Sequence, residues 1–212
     1  MSTVELSERD LCAALRRGDE SAFSTLVSLY HAPLRRLALS YVRSAAVADE
    51  VVQETWLAVL RGVDNFEERS SLKTWIFRIL TNKAKTRAER ESRTVPLSAL
   101  PSGDAGEDES AVDPNRFFDQ QHARWPGHWA SPPARWDELP AEHLEGRELL
   151  DAMKAAIEEL PARQRQVIVL RDIEGWDAEE ACRVLELSEA NQRVLLHRAR
   201  SRVRQALEDQ LG

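Results

Sequence analysis

An all-α fold is predicted: two small helical domains joined by a long linker, the C-terminal one carrying a helix-turn-helix. Three observations predict it. Apolar residues recur at spacings of three and four through most of the chain, as one face of a helix requires. No segment alternates with the period of two that a half-buried strand needs. The periodicity lapses from residue 92 to residue 141, where Pro, Gly, Ser and Asp gather in stretches such as "SGDAGEDES", a run too long for an ordinary connection inside one domain. The domains are therefore read as residues 1–93 and 142–212, with 94–141 as linker.

The elements follow in order. Ser7 is placed to cap "ERDLCAALRRG" and Gly18 to stop it. The next segment, "DESAFSTLVSLYHAPLRRLALSYVR", contains Pro33, which removes a backbone donor and predicts a kink or a break into two helices. A third helix over about 47–61 directs Val52, Trp56, Val59 and Leu60 to the core and Glu50, Gln53 and Glu54 to the other side, ending at Gly62. In the fourth, Leu72, Trp75, Ile76, Ile79 and Leu80 form the apolar stripe and Arg78, Asn82 and Lys85 lie opposite.

Beyond the linker, Leu149, Met153, Ala156, Ile157 and Leu160 form one stripe, and Pro161 opens a short helix in "RQRQVIVLRDI" at the position where its missing N–H costs nothing. "WDAEEACRVLELSEANQRVLLHRARSRVRQALEDQ" reads as a helix, a break near Leu187 and Ser188, and a longer helix. In that last helix Leu196, Ala199, Val203 and Leu207 face inward, leaving Arg193, His197, Arg200 and Arg204 outward.

Composition narrows the function classes. The 212 residues carry a net charge of -7, so the chain does not coat nucleic acid by charge alone. Its bases are concentrated: residues 73–93 hold seven against two acids, and residues 193–204 hold five arginines and no acid. The second stretch follows a turn and fits major-groove reading, with arginine matching guanine's two acceptors. The first interleaves bases with Phe77, and Phe66 precedes it, a pattern that suits unstacked nucleotides; a basic helix end over an apolar stripe is its plainer explanation. The acidic face at Glu50, Gln53 and Glu54 fits either a docking surface or a solvated face.

No glycine-rich phosphate loop and no His-Glu metal motif occur, and His122 and His128 have no cysteine ligands nearby. The expectation is a protein that is not an enzyme, with no cofactor and no metal. Cys12 and Cys182 each fall in an apolar-periodic segment and are read as buried free thiols. No apolar run is long enough to cross a bilayer and the N-terminus lacks a signal-peptide pattern, so a cytoplasmic location with no direct membrane insertion is expected.

"ADEVVQETWLAVLRGVDNFEERSSLKTWIFRILTNKAKTRAERE" contains a D-x-x-x-Q-E helix (Asp49, Gln53, Glu54) and a W-x-x-R-I-x-x-N-x-A-K helix. With the helix-turn-helix that follows, it resembles the extracytoplasmic-function sigma factors, the minimal two-domain sigma factors of bacterial RNA polymerase, over nearly the whole chain. The resemblance implies that Asp49, Glu50, Gln53 and Glu54 dock on the clamp helices of the polymerase's largest subunit. It puts Phe66, Phe77, Arg78, Asn82 and Lys85 near the pocket for a base flipped from the non-template strand of the minus-10 element. The C-terminal part resembles region four, which reads minus-35 duplex and touches the polymerase flap, with Asn191, Arg193, Val194, His197, Arg198 and Arg200 on the reading helix.

Departures from the family pattern are visible. Glu186 stands where a turn glycine is usual, Gln192 where an apolar residue is common, and "EANQRVLLHRAR" differs from the family's common reading-helix sequence, so no base preference transfers. The linker, by resemblance, threads the polymerase cleft, and Trp125, Trp129 and Trp136 are its candidate anchors on polymerase, on an inhibitor or on the chain's own domains. A cognate anti-sigma factor is a further expected partner. The rival readings are a stand-alone helix-turn-helix regulator, which has no use for the Asp49–Glu54 helix, and a helical module that binds polymerase without reading promoters.

Overall fold

The computed structural model describes residues 8–94 and 146–211. Those residues are helical with no strand among them. They comprise α1 (Glu8–Arg16), α2 (Glu20–Leu39), α3 (Ala45–Gly62), α4 (Leu72–Thr94), α5 (Gly146–Glu158), α6 (Ala162–Ile168), α7 (Ala178–Leu185) and α8 (Glu189–Leu211). Ser7 and the linker tryptophans lie outside the described residues. Residues 8–94 and 169–189 belong to one compact unit, and residues 146–168 and 190–211 to another.

In the first unit, Asp19 starts α2 by accepting hydrogen bonds at Oδ1 from the N–H groups of Ser21 (2.9 Å) and Ala22 (3.2 Å), which satisfies donors that a helix start leaves bare. Of the kink or break expected at Pro33, the break does not occur: α2 runs unbroken from Glu20 to Leu39. Pro33 withholds only the one bond to the carbonyl of Leu29, four residues back, while Leu34 and Leu37 beyond the proline are fully buried and hold the helix by packing.

α3 packs on α2 and α4 through Ala48, Val51, Val52, Thr55, Trp56 and Val59. Leu60, expected in that core, is 48% exposed: it follows Val59 by about 100° around the helix, which carries it past the edge of the stripe that Val52, Trp56 and Val59 bury.

α4 is buried on two sides. Leu72, Ile76 and Leu80 make one, as the spacing predicts. Phe77, Thr81 and Ala84 make the other, each at most 1% exposed. Trp75, placed on the stripe by its spacing, is half-buried. The second side is covered by α7, which packs on α4. Ahead of α7, a π turn (Val169–Ile173) is closed by the Glu174 N–H bonding to the Val169 carbonyl at 2.9 Å, and it also packs on α2 and α7. Asp177 caps α7 through the Glu180 N–H at 2.8 Å. Glu186 ends α7 in the left-handed region, φ 57° and ψ 48°, the conformation that glycine adopts at no steric cost.

In the second unit, α5 contributes Ala156 to the interior and Leu160 follows it there. Arg165 turns back to donate to the Leu160 carbonyl at 2.9 Å. α8 buries Leu196, Ala199, Val203 and Leu207, the four residues its spacing marks as inward.

Candidate nucleic-acid interfaces and docking face

The outer side of α3 is a mixed acidic and apolar strip. Glu50, Gln53 and Glu54 are exposed. Leu57 and Leu60 continue the line from Gln53 at four- and seven-residue spacing and are 52% and 48% exposed. Asp49 is half-buried, its Oδ1 accepting from Arg35 Nε at 2.6 Å, so it orients the first turn of the strip instead of projecting from it. Glu50 pairs with Arg87 at 2.8 Å and Glu54 with Lys83 at 3.4 Å. These pairs border a groove of about 280 Å³ between α3 and α4, lined by Glu50, Val51, Glu54, Asn82, Lys83 and Arg87 among others. Leu57 is the part of this surface that sequence reasoning missed; its spacing from Gln53 was the available signal.

The residues proposed for single-strand capture divide into two groups. Arg78 and Asn82 are exposed on α4. Phe66 and Phe77 are 6% and 0% exposed, so neither presents an open stacking face. Phe66 tilts against Trp75 with centroids 4.8 Å apart, and Arg16 fastens its backbone by donating to the Phe66 carbonyl at 2.6 Å and to the Val63 carbonyl at 3.3 Å. Trp75 in turn leaves no room at the end of α3, where a Cβ on Gly62 would come within 3.2 Å of its ring. A groove of about 300 Å³ opens beside Phe66, lined by Glu8, Cys12, Phe66, Glu68, Ser70 and Ser71. Phe77 is enclosed by Tyr30 (centroids 6.1 Å) and Trp176 (4.7 Å), both edge-on. Lys85 is committed to Glu186 at 2.6 Å.

α8 presents Asn191, Arg193, Val194, His197 and Arg200 to solvent, with Arg198 half-buried. Val194 is 47% exposed although apolar. This is a polar face with an apolar element, the combination that reads base edges and the thymine methyl in a major groove. Gln192 points inward at 2% exposure.

Among the described residues, no group of three or more His, Cys, Asp or Glu side chains is arranged to hold a metal ion. No helix among them is long and apolar enough to cross a membrane. Cys12 and Cys182 are buried and form no disulfide.

Comparison with known proteins gives the family and the fold. Residues 26–94 match the family model for sigma-70 region 2, and residues 150–203 match that for sigma-70 region 4. A probable RNA polymerase sigma factor of Haemophilus influenzae is 31% identical over 172 residues, covering 80% of this chain and 81% of the relative. The ECF RNA polymerase sigma-E factor of Escherichia coli is 27% identical over 199 residues, 94% of this chain and 93% of the relative. Among solved structures, the sigma factor RpoE of Bartonella quintana, in complex with the anti-sigma factor NepR, superposes with a TM-score of 0.56 at 24% identity, covering 88% of this chain and 96% of that one.

Proposed function

Since the chain belongs to the extracytoplasmic-function sigma factors of the sigma-70 family, which direct RNA polymerase to promoters in transcription initiation, we propose how its surfaces divide that work. The α3 strip docks on the clamp helices of core polymerase: Glu50, Gln53 and Glu54 supply charge and hydrogen bonds, Leu57 and Leu60 supply apolar area, and Asp49 steadies the strip through Arg35. Charges at the rim of such an interface steer encounter, and desolvated leucines hold it.

α8 enters the major groove of the minus-35 duplex. Arg193 and Arg198 bond base edges or phosphates, Val194 meets a methyl group, and Asn191, His197 and Arg200 fix register. Downstream, Arg78, Asn82 and Lys85 hold the melted minus-10 strand, and a flipped base enters the groove beside Phe66. Phe77 joins this surface once its cover is withdrawn. The chain performs no covalent chemistry in this scheme and acts in the cytoplasm, where polymerase is. Trp125, Trp129 and Trp136 anchor the linker on polymerase. The matched Bartonella quintana structure contains an anti-sigma factor, and we extend that kind of partner to this chain.

The observation that carries the reading is the presence, on one chain, of an exposed acidic and apolar strip on α3 and an exposed reading face on α8. A stand-alone helix-turn-helix regulator needs only the second. The test is reconstitution with core polymerase and a genomic promoter pool. Promoter-specific transcripts that require both components are expected; tight duplex binding by the chain alone, with no such transcripts, would sink the reading.

A further inference from the structure

Residues 174–186 lie along the side of α4 that carries Lys73, Phe77, Thr81 and Lys85, and hold it at every turn. Trp176, 2% exposed, sets its ring against Phe77 at 4.7 Å between centroids, with Lys73 Nζ 3.8 Å from the centre of the same ring. Glu180 accepts from Ser71 Oγ at 3.4 Å and pairs with Lys73 at 3.9 Å. Thr81 Oγ1 donates to the Val184 carbonyl at 3.4 Å, and Lys85 Nζ to Glu186 Oε2 at 2.6 Å. At the edge, Arg36 of α2 donates twice to Glu174, at 2.5 and 3.2 Å, and the Glu174 side chain is only 7% exposed.

This cover has the chemistry of the ligand that Phe77 and Lys85, on the same side of α4, are assigned to bind, while Arg78 and Asn82 stay exposed beside it. A strand of DNA brings flat rings for Phe77 to meet and anions for Lys73 and Lys85 to neutralise. The cover brings an indole to Phe77, carboxylates to both lysines, and five acids against one base over residues 174–186. We propose that residues 174–186 are an internal mimic of the melted strand, occupying the DNA-binding side of α4 and competing with DNA for it. The proposal rests on the reading of α4 as the strand-capturing helix. Competition within one chain lowers apparent affinity by the fraction of molecules that are open. Free protein therefore binds single-stranded DNA more weakly than the open form does, and anything that withdraws the cover raises the affinity of α4.

The test measures binding of the full chain, without polymerase, to a fluorescent pool of randomised single-stranded oligonucleotides. Trp176→Ala removes the ring without changing charge, and Glu174→Gln/Glu180→Gln/Glu186→Gln releases the cations while keeping the ring. A control triple, Glu67→Gln/Glu89→Gln/Glu159→Gln, removes the same charge outside the cover. Both cover variants are expected to bind about tenfold tighter than the parent as the open fraction rises, with the control well below them. Where Trp176→Ala does not melt cooperatively, the glutamine triple decides.

Cover variants that bind no tighter than the control overturn the mimic. Photocrosslinking of the melted strand in polymerase holoenzyme separates that failure from failure of the underlying reading. Crosslinks to α4 together with unimproved free binding remove only the mimic, whereas absence of crosslinks to α4 removes the strand assignment and the mimic with it.

Discussion

Helices α4 and α8 are both 23 residues long, and each carries one of the chain's two basic stretches, yet they hold their candidate readers differently. On α8 the candidates other than half-buried Arg198 stand outward over a buried stripe, and even apolar Val194 is 47% exposed. On α4 the aromatic candidate Phe77 is fully buried and Lys85 is already paired. On the proposed assignment, the contrast follows from what each helix would read. Duplex edges are polar and need a polar face that water tolerates. An unstacked base needs an aromatic platform, which the hydrophobic effect turns inward whenever a partner within the chain is available.

The sharpest way to break this contrast is stability. Phe77→Ala is expected to cost about 3–5 kcal/mol by opening a cavity, while Val194→Ala should stay within about 0.5 kcal/mol, both read from denaturant melts. A small loss at Phe77 would mean that its side of α4 is open in solution. Next in size is recognition: Arg193→Ala/Arg198→Ala should abolish promoter selection, since each good base contact is worth about 1–3 kcal/mol, and leave core polymerase binding unchanged. Loss of core binding in that variant would merge functions assigned to separate helices.

A smaller effect concerns the turn. A non-glycine residue in the left-handed region carries about 1–2 kcal/mol of strain, partly offset at Glu186 by an exposed ion pair worth about 0–1 kcal/mol. Glu186→Gly should therefore raise stability by up to about 2 kcal/mol while freeing Lys85. A destabilised variant would show that the ion pair outweighs the strain.

Smallest is a pH effect at Asp19, whose carboxyl is held below its usual value of 3.8 by hydrogen bonds from the Ser21 hydroxyl and the Ala22 and Ser21 N–H groups. Because the folded value is the lower one, the cap's contribution is full above the ordinary value and lost as pH falls through the folded one. Asp19→Ala should melt below the parent at pH 5–7, with the gap closing under pH 4.

Much of this was legible in the sequence because it is local. The α8 stripe, the Gly18 stop and the acidic side of α3 follow from spacing within one helix, and Gly18 takes the left-handed φ of 73° that stops demand. What escaped depends on distant residues. Nothing near Phe77 announces a second buried side on α4, because the covering ring, Trp176, comes about a hundred positions later. Pro33 looked like a break because propensity is local, whereas the packing of Leu34 and Leu37 that overrides it is not. Phe66 reads as a loop aromatic until Arg16 and Trp75 are seen to fasten it.

The two thiols give the molecule a pair of internal clocks. Cys12 in α1 is 1% exposed and Cys182 in α7 is 8% exposed, and burial pushes the Cys12 thiol above its ordinary value, so in the closed protein Cys12 is a poor nucleophile. An alkylating reagent then marks each cysteine at a rate set by how often its helix opens locally. The ratio of the two rates reads the opening of α7 against that of α1, in untouched wild-type protein and without a probe attached.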